Sequence, residues 1–342
     1  MTNGILIVNL GTPASPSTKD VRAYLNEFLM DPYVLDVPWP LRRMIVSGFI
    51  LPFRPKQSAH AYQSIWTDDG SPLLIYGNTL RTALQEQLHT PVALGMRYGE
   101  PSVQSAISQL TQAGVERIVA LPLYPQYADS TVTTTIEHIR QCTPASTALQ
   151  IMPVFYDKAP FINALAEVTK AHLPAQMDHL LMSYHGLPER HLTKADPTNS
   201  HCMQSEDCCQ IESAAHATCY RHQVFETSTA LARGLGLSPE QYTVSFQSRL
   251  GRLPWLQPYT DQVLAELPER GCRHLAVVCP AFVADNLETL EEMDIQGRQT
   301  FLEAGGESFT LVPCLNDDAV WVSALAGLLQ AHISSASSDT SA

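Results

Sequence analysis

Eight short, almost uninterrupted aliphatic runs recur along the chain, with helical periodicity between them. The pattern predicts strands at residues 5–10, 92–96, 117–121 and 150–155 in the first half. In the second half it predicts them at 179–184, 242–247, 274–279 and 309–313. A strand with one wet face alternates apolar and polar residues, whereas a parallel strand covered on both faces is apolar throughout. The helical stretches carry their own punctuation. Pro101-Ser102 opens a segment over 103–112 ahead of Gly114, Pro160 opens one over 161–172, and a third over 256–267 precedes Glu269-Arg270-Gly271. Strands alternating with helices predict βαβ units and parallel sheets.

Each half starts with one strand, makes a long excursion, and then lays down three strands at roughly 26–34-residue spacing, the length of a βαβ unit. With 342 residues the chain is long enough for about two domains. The expected architecture is α/β: two similar doubly wound domains over residues 1–157 and 158–332. Ligands of such sheets bind outside the carboxyl ends of the strands, so the crevice between the domains is the default site. Residues 333–342, with Ser-Ser-Ala-Ser-Ser in their midst, read as a disordered tail. No Gly-x-Gly-x-x-Gly turn or P-loop follows any strand, which excludes the common dinucleotide and nucleotide enzymes.

Charge and compartment narrow the field further. Lys plus Arg number 21 against 34 Asp plus Glu, a net charge of −13, so a nucleic-acid partner is not expected. The N-terminus lacks a basic, apolar leader, and no window reaches the ~18 apolar residues of a membrane span. A cytoplasmic protein is expected, and thiols there stay reduced. Four of the eight cysteines (Cys202, Cys208, Cys209 and Cys219) crowd into one segment. In a reducing compartment that reads as a metal site rather than disulfides.

Two strand ends carry candidate chemistry. His185 stands where the run Leu180-Leu181-Met182-Ser183-Tyr184 meets Gly186-Leu187-Pro188, and a histidine there can move protons near neutral pH. After the run ending at Cys279, Asp285-x-x-Glu288 has the form of a capping box at a helix start. Glu288 and Glu292 share one face of that helix with Glu291 at its flank, an array suited to proton relay or divalent metal passage.

At these motifs the chain resembles the ferrochelatases, which insert Fe²⁺ into a porphyrin. Ser183 through Pro188 matches the family's Ser-x-His-Gly-Leu-Pro signature, and Asp285 through Glu292 its Asp-x-Leu-Glu-Thr-Leu-x-Glu segment. Val8-Asn9-Leu10-Gly11-Thr12-Pro13, Gly95-Met96-Arg97-Tyr98, Leu123-Tyr124-Pro125-Gln126-Tyr127 and Gln247-Ser248-Arg249-Leu250-Gly251 match in the same order, as does Trp255. The resemblance implies two Rossmann-like domains, each a four-stranded parallel sheet, with the porphyrin in the cleft between them. It implies protoporphyrin IX and Fe²⁺ as substrates and protohaem as product. His185 becomes the proton acceptor and an iron ligand, Glu288 its partner and Glu292 a further relay. Arg97, Tyr98, Tyr124 and Trp255 become porphyrin contacts. Many members carry a histidine where this chain has Asn286, so a two-histidine path is not expected here.

By the same resemblance, residues 37–66 form a lip over the pocket that in some members touches the membrane. No acid lies between Asp36 and Asp68, while Arg42, Arg43, Arg54 and Lys56 do, a composition suited to weak peripheral contact with the inner membrane. An amphipathic helix packed on its own domain is the other reading. The cysteine-rich insertion over 199–222 resembles that of bacterial members with an internal [2Fe–2S] cluster. It lacks the Cys-x₂-Cys knuckle usual for zinc. Zinc, ligation by His201, His216 or His222, and free structural thiols remain the alternatives. Competing activities are chelation of cobalt or nickel into a reduced tetrapyrrole, use of coproporphyrin III, or haem binding without turnover.

Overall fold

The computed structural model describes residues 2–249, 251 and 253–338, and of 335–338 the backbone alone. Two four-stranded parallel sheets form its frame. β1 (Asn3–Gly11), β2 (Val92–Tyr98), β3 (Arg117–Pro122) and β4 (Ala148–Ile151) lie in the order β2-β1-β3-β4. β5 (His179–His185), β6 (Tyr242–Gln247), β7 (His274–Val278) and β8 (Ser308–Leu311) repeat that order as β6-β5-β7-β8. In each half the first strand lies inside the sheet, and the long excursion delivers the second to its outer side.

The uninterrupted apolar runs are explained by burial on both faces. Ile5, Leu6, Ile7 and Val8 of β1 and Leu180, Leu181 and Met182 of β5 have no exposed surface. Burying each such side chain stabilises by roughly 1.5–3 kcal/mol. In the first sheet Leu6, Val8, Ile118 and Ala120 pack against Val103, Ile107 and Leu110 of the helix Val103–Gln112. In the second, Leu181, Leu275 and Val277 pack with Val263, Leu264 and Phe301.

Local chemistry moves several boundaries. β4 ends at Ile151 rather than 155: Met152 N–H makes the last bond to β3, to Ala120 O at 2.9 Å, and Phe155 N–H turns instead to Pro125 O at 3.2 Å. The helix expected over 256–267 begins only at Thr260. Pro258 interrupts the earlier residues, and their polar groups go elsewhere: Leu256 N–H bonds Leu187 O in the loop after β5 (3.0 Å), and Pro258 O accepts from Phe246 N–H of β6 (2.9 Å). The last helix, Ala319–Ser338, runs into the segment expected to be disordered. Ser334 returns its hydroxyl to Gln330 O (2.9 Å), and alanine and serine continue a helix at little cost. The remainder of that expected tail, 339–342, lies outside the described residues.

By contact the chain divides into two compact units. One holds Met1–Tyr124, Asp129–Val154 and Val322–Ala342; the other holds Pro125–Ala128 and Phe155–Trp321. No helix among the described residues is long and apolar enough to cross a membrane.

Candidate active site

The carboxyl end of β5 organises the second unit. β5 pairs with β6 through its last residue, His185 opposite Gln247, and Gly186 N–H continues the ladder to Gln247 O at 2.7 Å. A Cβ on Gly186 would lie 2.8 Å from that carbonyl and 3.3 Å from Cε3 of Trp255. Glycine is therefore required for this close approach to the β6 backbone, with the indole packed tightly beside it. Glu189 N–H bonds Pro254 O at 3.0 Å, completing the clasp between the two loops. Nδ1 of His185 stands 2.6 Å from Gly186 O. A carbonyl can only accept, so Nδ1 carries the proton of the neutral ring and Nε2 presents its lone pair.

Glu288 opens a π-helix, Glu288–Gly297, a form rare in proteins and concentrated at functional sites. The expected capping by Asp285 is corrected. Asn286 Oδ1 accepts from Glu288 N–H (2.9 Å) and Thr289 N–H (3.1 Å), and Thr289 Oγ1 accepts from Asn286 N–H (3.0 Å). Asp285 is buried instead, accepting from Asn316 Nδ2 (2.7 Å), Thr289 Oγ1 (3.0 Å) and Cys314 N–H (3.3 Å). Asn286 thus builds the turn that presents Glu288.

Burial raises the pKa of Glu288; the neighbouring His185 pulls it back down, and Glu292 and Glu291 push it up. The net direction is upward, so this carboxyl holds a proton more readily than an exposed glutamate. Gln247 binds both parts of the array. Its Oε1 accepts from Ser183 Oγ (2.7 Å), and its Nε2 donates to Glu288 O (2.8 Å) and Glu292 Oε2 (3.3 Å). Glu292 also accepts from the backbone N–H (2.7 Å) and hydroxyl of Ser248, a residue with φ +65°. His185, Trp255, Glu288 and Glu292 are thus brought together within one unit.

The other expected contacts lie in the first unit. Arg97 reaches Asp31 at 2.5 Å and Thr134 Oγ1 at 2.9 Å. Tyr98 is buried, donates its hydroxyl to Asp31 (2.9 Å), and lies with its ring 4.4 Å beneath the Arg97 guanidinium. Tyr124 is buried and accepts from Thr135 Oγ1 (3.4 Å). Asp31, which binds both Arg97 and Tyr98, was not among the motif residues, and a lone acid in a loop offers no sequence signal. In the lip, Trp39, Met44, Phe49 and Phe53 are 55–76% exposed. Arg42 is not part of its basic surface: it is buried and donates to Leu35 O and Val37 O (both 3.1 Å).

The four clustered cysteines are all buried. Hydrogen bonds from the Cys209 thiol, the His222 N–H and the Cys202 thiol lower the pKa of Cys219 against the effect of burial. The bond to Cys219 and then burial raise Cys209; burial and then the charge of Cys219 raise Cys202. Arg221 Nη1 lies 3.7 Å from the sulfurs of both Cys208 and Cys209. Each nearby histidine spends one ring nitrogen on a backbone carbonyl: His201 (2.7 Å) and His216 (3.3 Å) on Cys208, His222 (2.9 Å) on Cys209. Asp196 ties down the start of this segment, accepting from Thr198 N–H (2.8 Å), Thr198 Oγ1 (2.7 Å), His201 N–H (2.8 Å) and Cys202 N–H (2.9 Å).

Solved structures share this fold. SirB from Bacillus subtilis with Fe³⁺ superposes with a TM-score of 0.54 at 11% identity, covering 97% of this chain and 96% of that one. The sirohydrochlorin chelatase SirB from Bacillus subtilis subspecies spizizenii in complex with cobalt gives 0.53 at 9%, covering 95% and 92%. The fold is therefore of the chelatase type. Sequence comparison goes further. Residues 2–333 match the Ferrochelatase family. The chain is 52% identical to the ferrochelatase of Pseudomonas fluorescens (strain Pf0-1) over 96% of its length and 97% of that protein's. It is 50% identical to that of Pseudomonas syringae pv. tomato (strain ATCC BAA-871 / DC3000) over 94% and 96%. The chain belongs to the ferrochelatase family.

The pKa of Asp196 yields a signed prediction. Burial alone would raise it, but the hydrogen bonds from Cys202, Thr198 and His201 more than offset this and depress it strongly. A depressed carboxyl contributes stability that is present above its unfolded value of about 3.9 and is lost as pH falls toward the folded value. Urea unfolding followed from pH 6 to pH 3 should show wild type losing stability below about pH 4. Asp196→Asn should be less stable at pH 6 and flatter with pH; an identical pH dependence in both proteins would contradict the assignment.

Proposed function

We propose that this protein is a ferrochelatase, inserting Fe²⁺ into protoporphyrin IX to give protohaem with release of two protons. The observation that carries the reading is His185, its Nδ1 held to Gly186 O, near enough to Glu288 to act on its charge, with the net direction of that carboxyl's pKa upward. Near-full-length identity of about half to proteins named ferrochelatase supports the same substrates. Nε2 of His185 accepts a pyrrole proton, and Glu288 takes it from the imidazolium. Glu291 and Glu292 disfavour a negative charge at Glu288, so a proton arriving there relieves repulsion. The same acidic file attracts the incoming Fe²⁺. Arg97, held by Asp31 and Tyr98, is assigned with Tyr124 and Trp255 to porphyrin contact.

The four cysteines are assigned to a [2Fe–2S] cluster. A two-iron cluster asks two thiolates of each iron, which suits four buried thiols in one segment, with Cys219 bonded to both Cys202 and Cys209. Metal insertion moves no electrons, so the cluster's contribution when bound is to cross-link the segment.

The exposed Trp39, Met44, Phe49 and Phe53 beside Arg43, Arg54 and Lys56 are assigned to peripheral contact with an anionic membrane surface. Co-sedimentation with phosphatidylglycerol vesicles should fall severalfold in Phe49→Ser/Phe53→Ser. Equal binding of the variant would remove the assignment.

The catalytic reading is tested anaerobically with Fe²⁺ and protoporphyrin IX, following conversion of the free-base spectrum to that of haem. His185→Ala should lower kcat by about 100-fold or more. Full activity in that variant, or faster turnover of sirohydrochlorin with cobalt, would overturn it.

A further inference from the structure

Cys219, the last of the four clustered thiols, is followed directly by Tyr220, the first residue of the helix Tyr220–Leu235. The Tyr220 side chain is buried, and its hydroxyl donates to the backbone carbonyl of His185 at 2.9 Å. One residue and one hydrogen bond therefore separate a buried thiol from the candidate proton acceptor.

Other contacts fix both flanks of this link. Gln223, one turn further on, has no exposed surface. Its Nε2 donates to His216 O (3.1 Å) and Ala217 O (3.0 Å), and its Oε1 accepts from Tyr127 N–H (2.7 Å). Two turns on, the hydroxyls of Ser228 and Tyr184 bond at 2.8 Å, and Tyr184 precedes His185 in β5. Upstream, Thr218 Oγ1 donates to Ala195 O at 2.7 Å. That bond closes the cysteine segment onto the end of the helix Glu189–Ala195, which leaves the Gly186-Leu187-Pro188 loop.

We propose that Tyr220 is a positioning residue for His185 and ties the histidine to the state of the four-cysteine site. The ladder on β6 holds the backbone after His185, and Tyr220 holds its carbonyl. Together they set the peptide plane from which the ring, bonded to Gly186 O, takes its orientation. The link to the cysteines rests on the [2Fe–2S] reading. With the thiolates cross-linked, Cys219 and the first turn of the helix are fixed and the tyrosine hydroxyl stays within reach of His185 O. With the site empty, the buried sulfurs are held by weak hydrogen bonds among the thiols, from Arg221 and from the His222 N–H, and the turn that carries Tyr220 loosens.

Tyr220→Phe removes the hydroxyl and keeps the buried ring. In full-length protein purified anaerobically, the variant should keep wild-type iron, acid-labile sulfide and visible absorption, and an unchanged KM for protoporphyrin IX. Its kcat should fall about tenfold, the effect of one lost hydrogen bond at a positioned group. Removing the cluster with a chelator should shift the ring resonances of His185 in wild type and leave them in place in Tyr220→Phe. Wild-type kcat in the variant, or an equal resonance shift in both proteins, would overturn the proposal. If wild type holds no iron or sulfide, the cluster reading fails and the coupling with it. The kcat of Tyr220→Phe then still decides whether Tyr220 positions His185.

Discussion

The parallel pairing of β5 with β6, carried through His185 opposite Gln247 and on to Gly186, is the constraint on which the site depends. It places a histidine and a glutamine side by side at the carboxyl end of a sheet, where backbone ladders stop and side chains take over. Gln247 then does what the ladder no longer can. One end of its amide accepts from Ser183, and the other donates to the first residue of the π-helix and to Glu292. Each of these bonds is worth about 1 kcal/mol net, but leaving a buried partner unpaired costs more, so the set stands or falls together.

Opposite charges and burial are balanced at this end of the sheet. Three glutamates on one short π-helix would repel, and burial compounds the cost for Glu288. The imidazole of His185 offsets part of it. What remains is a carboxylate that gains a proton readily, because a third negative charge on this helix is costly. Asn286 serves this arrangement by geometry: a short amide can accept from two successive backbone N–H groups at the start of the helix.

The sheets were legible in the sequence because burial on both faces leaves an unmistakable apolar run, as in Ile5-Leu6-Ile7-Val8. His185 was legible because it follows such a run and precedes glycine and proline. Less visible was everything decided by tertiary partners. Asp285 and Asn286 are both good capping residues, and only Asn316, Thr289 and the Cys314 amide, which bind Asp285, leave the capping to Asn286. Arg42 reads as a lip cation until Leu35 O and Val37 O are seen to take its guanidinium inward. The helix expected over 256–267 carried the right periodicity, but Pro258 spends its carbonyl on Phe246 and breaks it. Asp31 and Tyr220 act through contacts distant in sequence, for which a local motif has no counterpart.

The account turns on one proton. If the Gly186 carbonyl holds the Nδ1 proton of His185, Nε2 is the base, and the site is built to receive a proton from the substrate side. Nitrogen-15 NMR of histidine-labelled protein, with His185 assigned by comparison with His185→Gln, measures that tautomer directly. The neutral ring should show a protonated Nδ1 and an unprotonated Nε2. A neutral ring protonated at Nε2 would contradict the assignment of His185 as the proton acceptor.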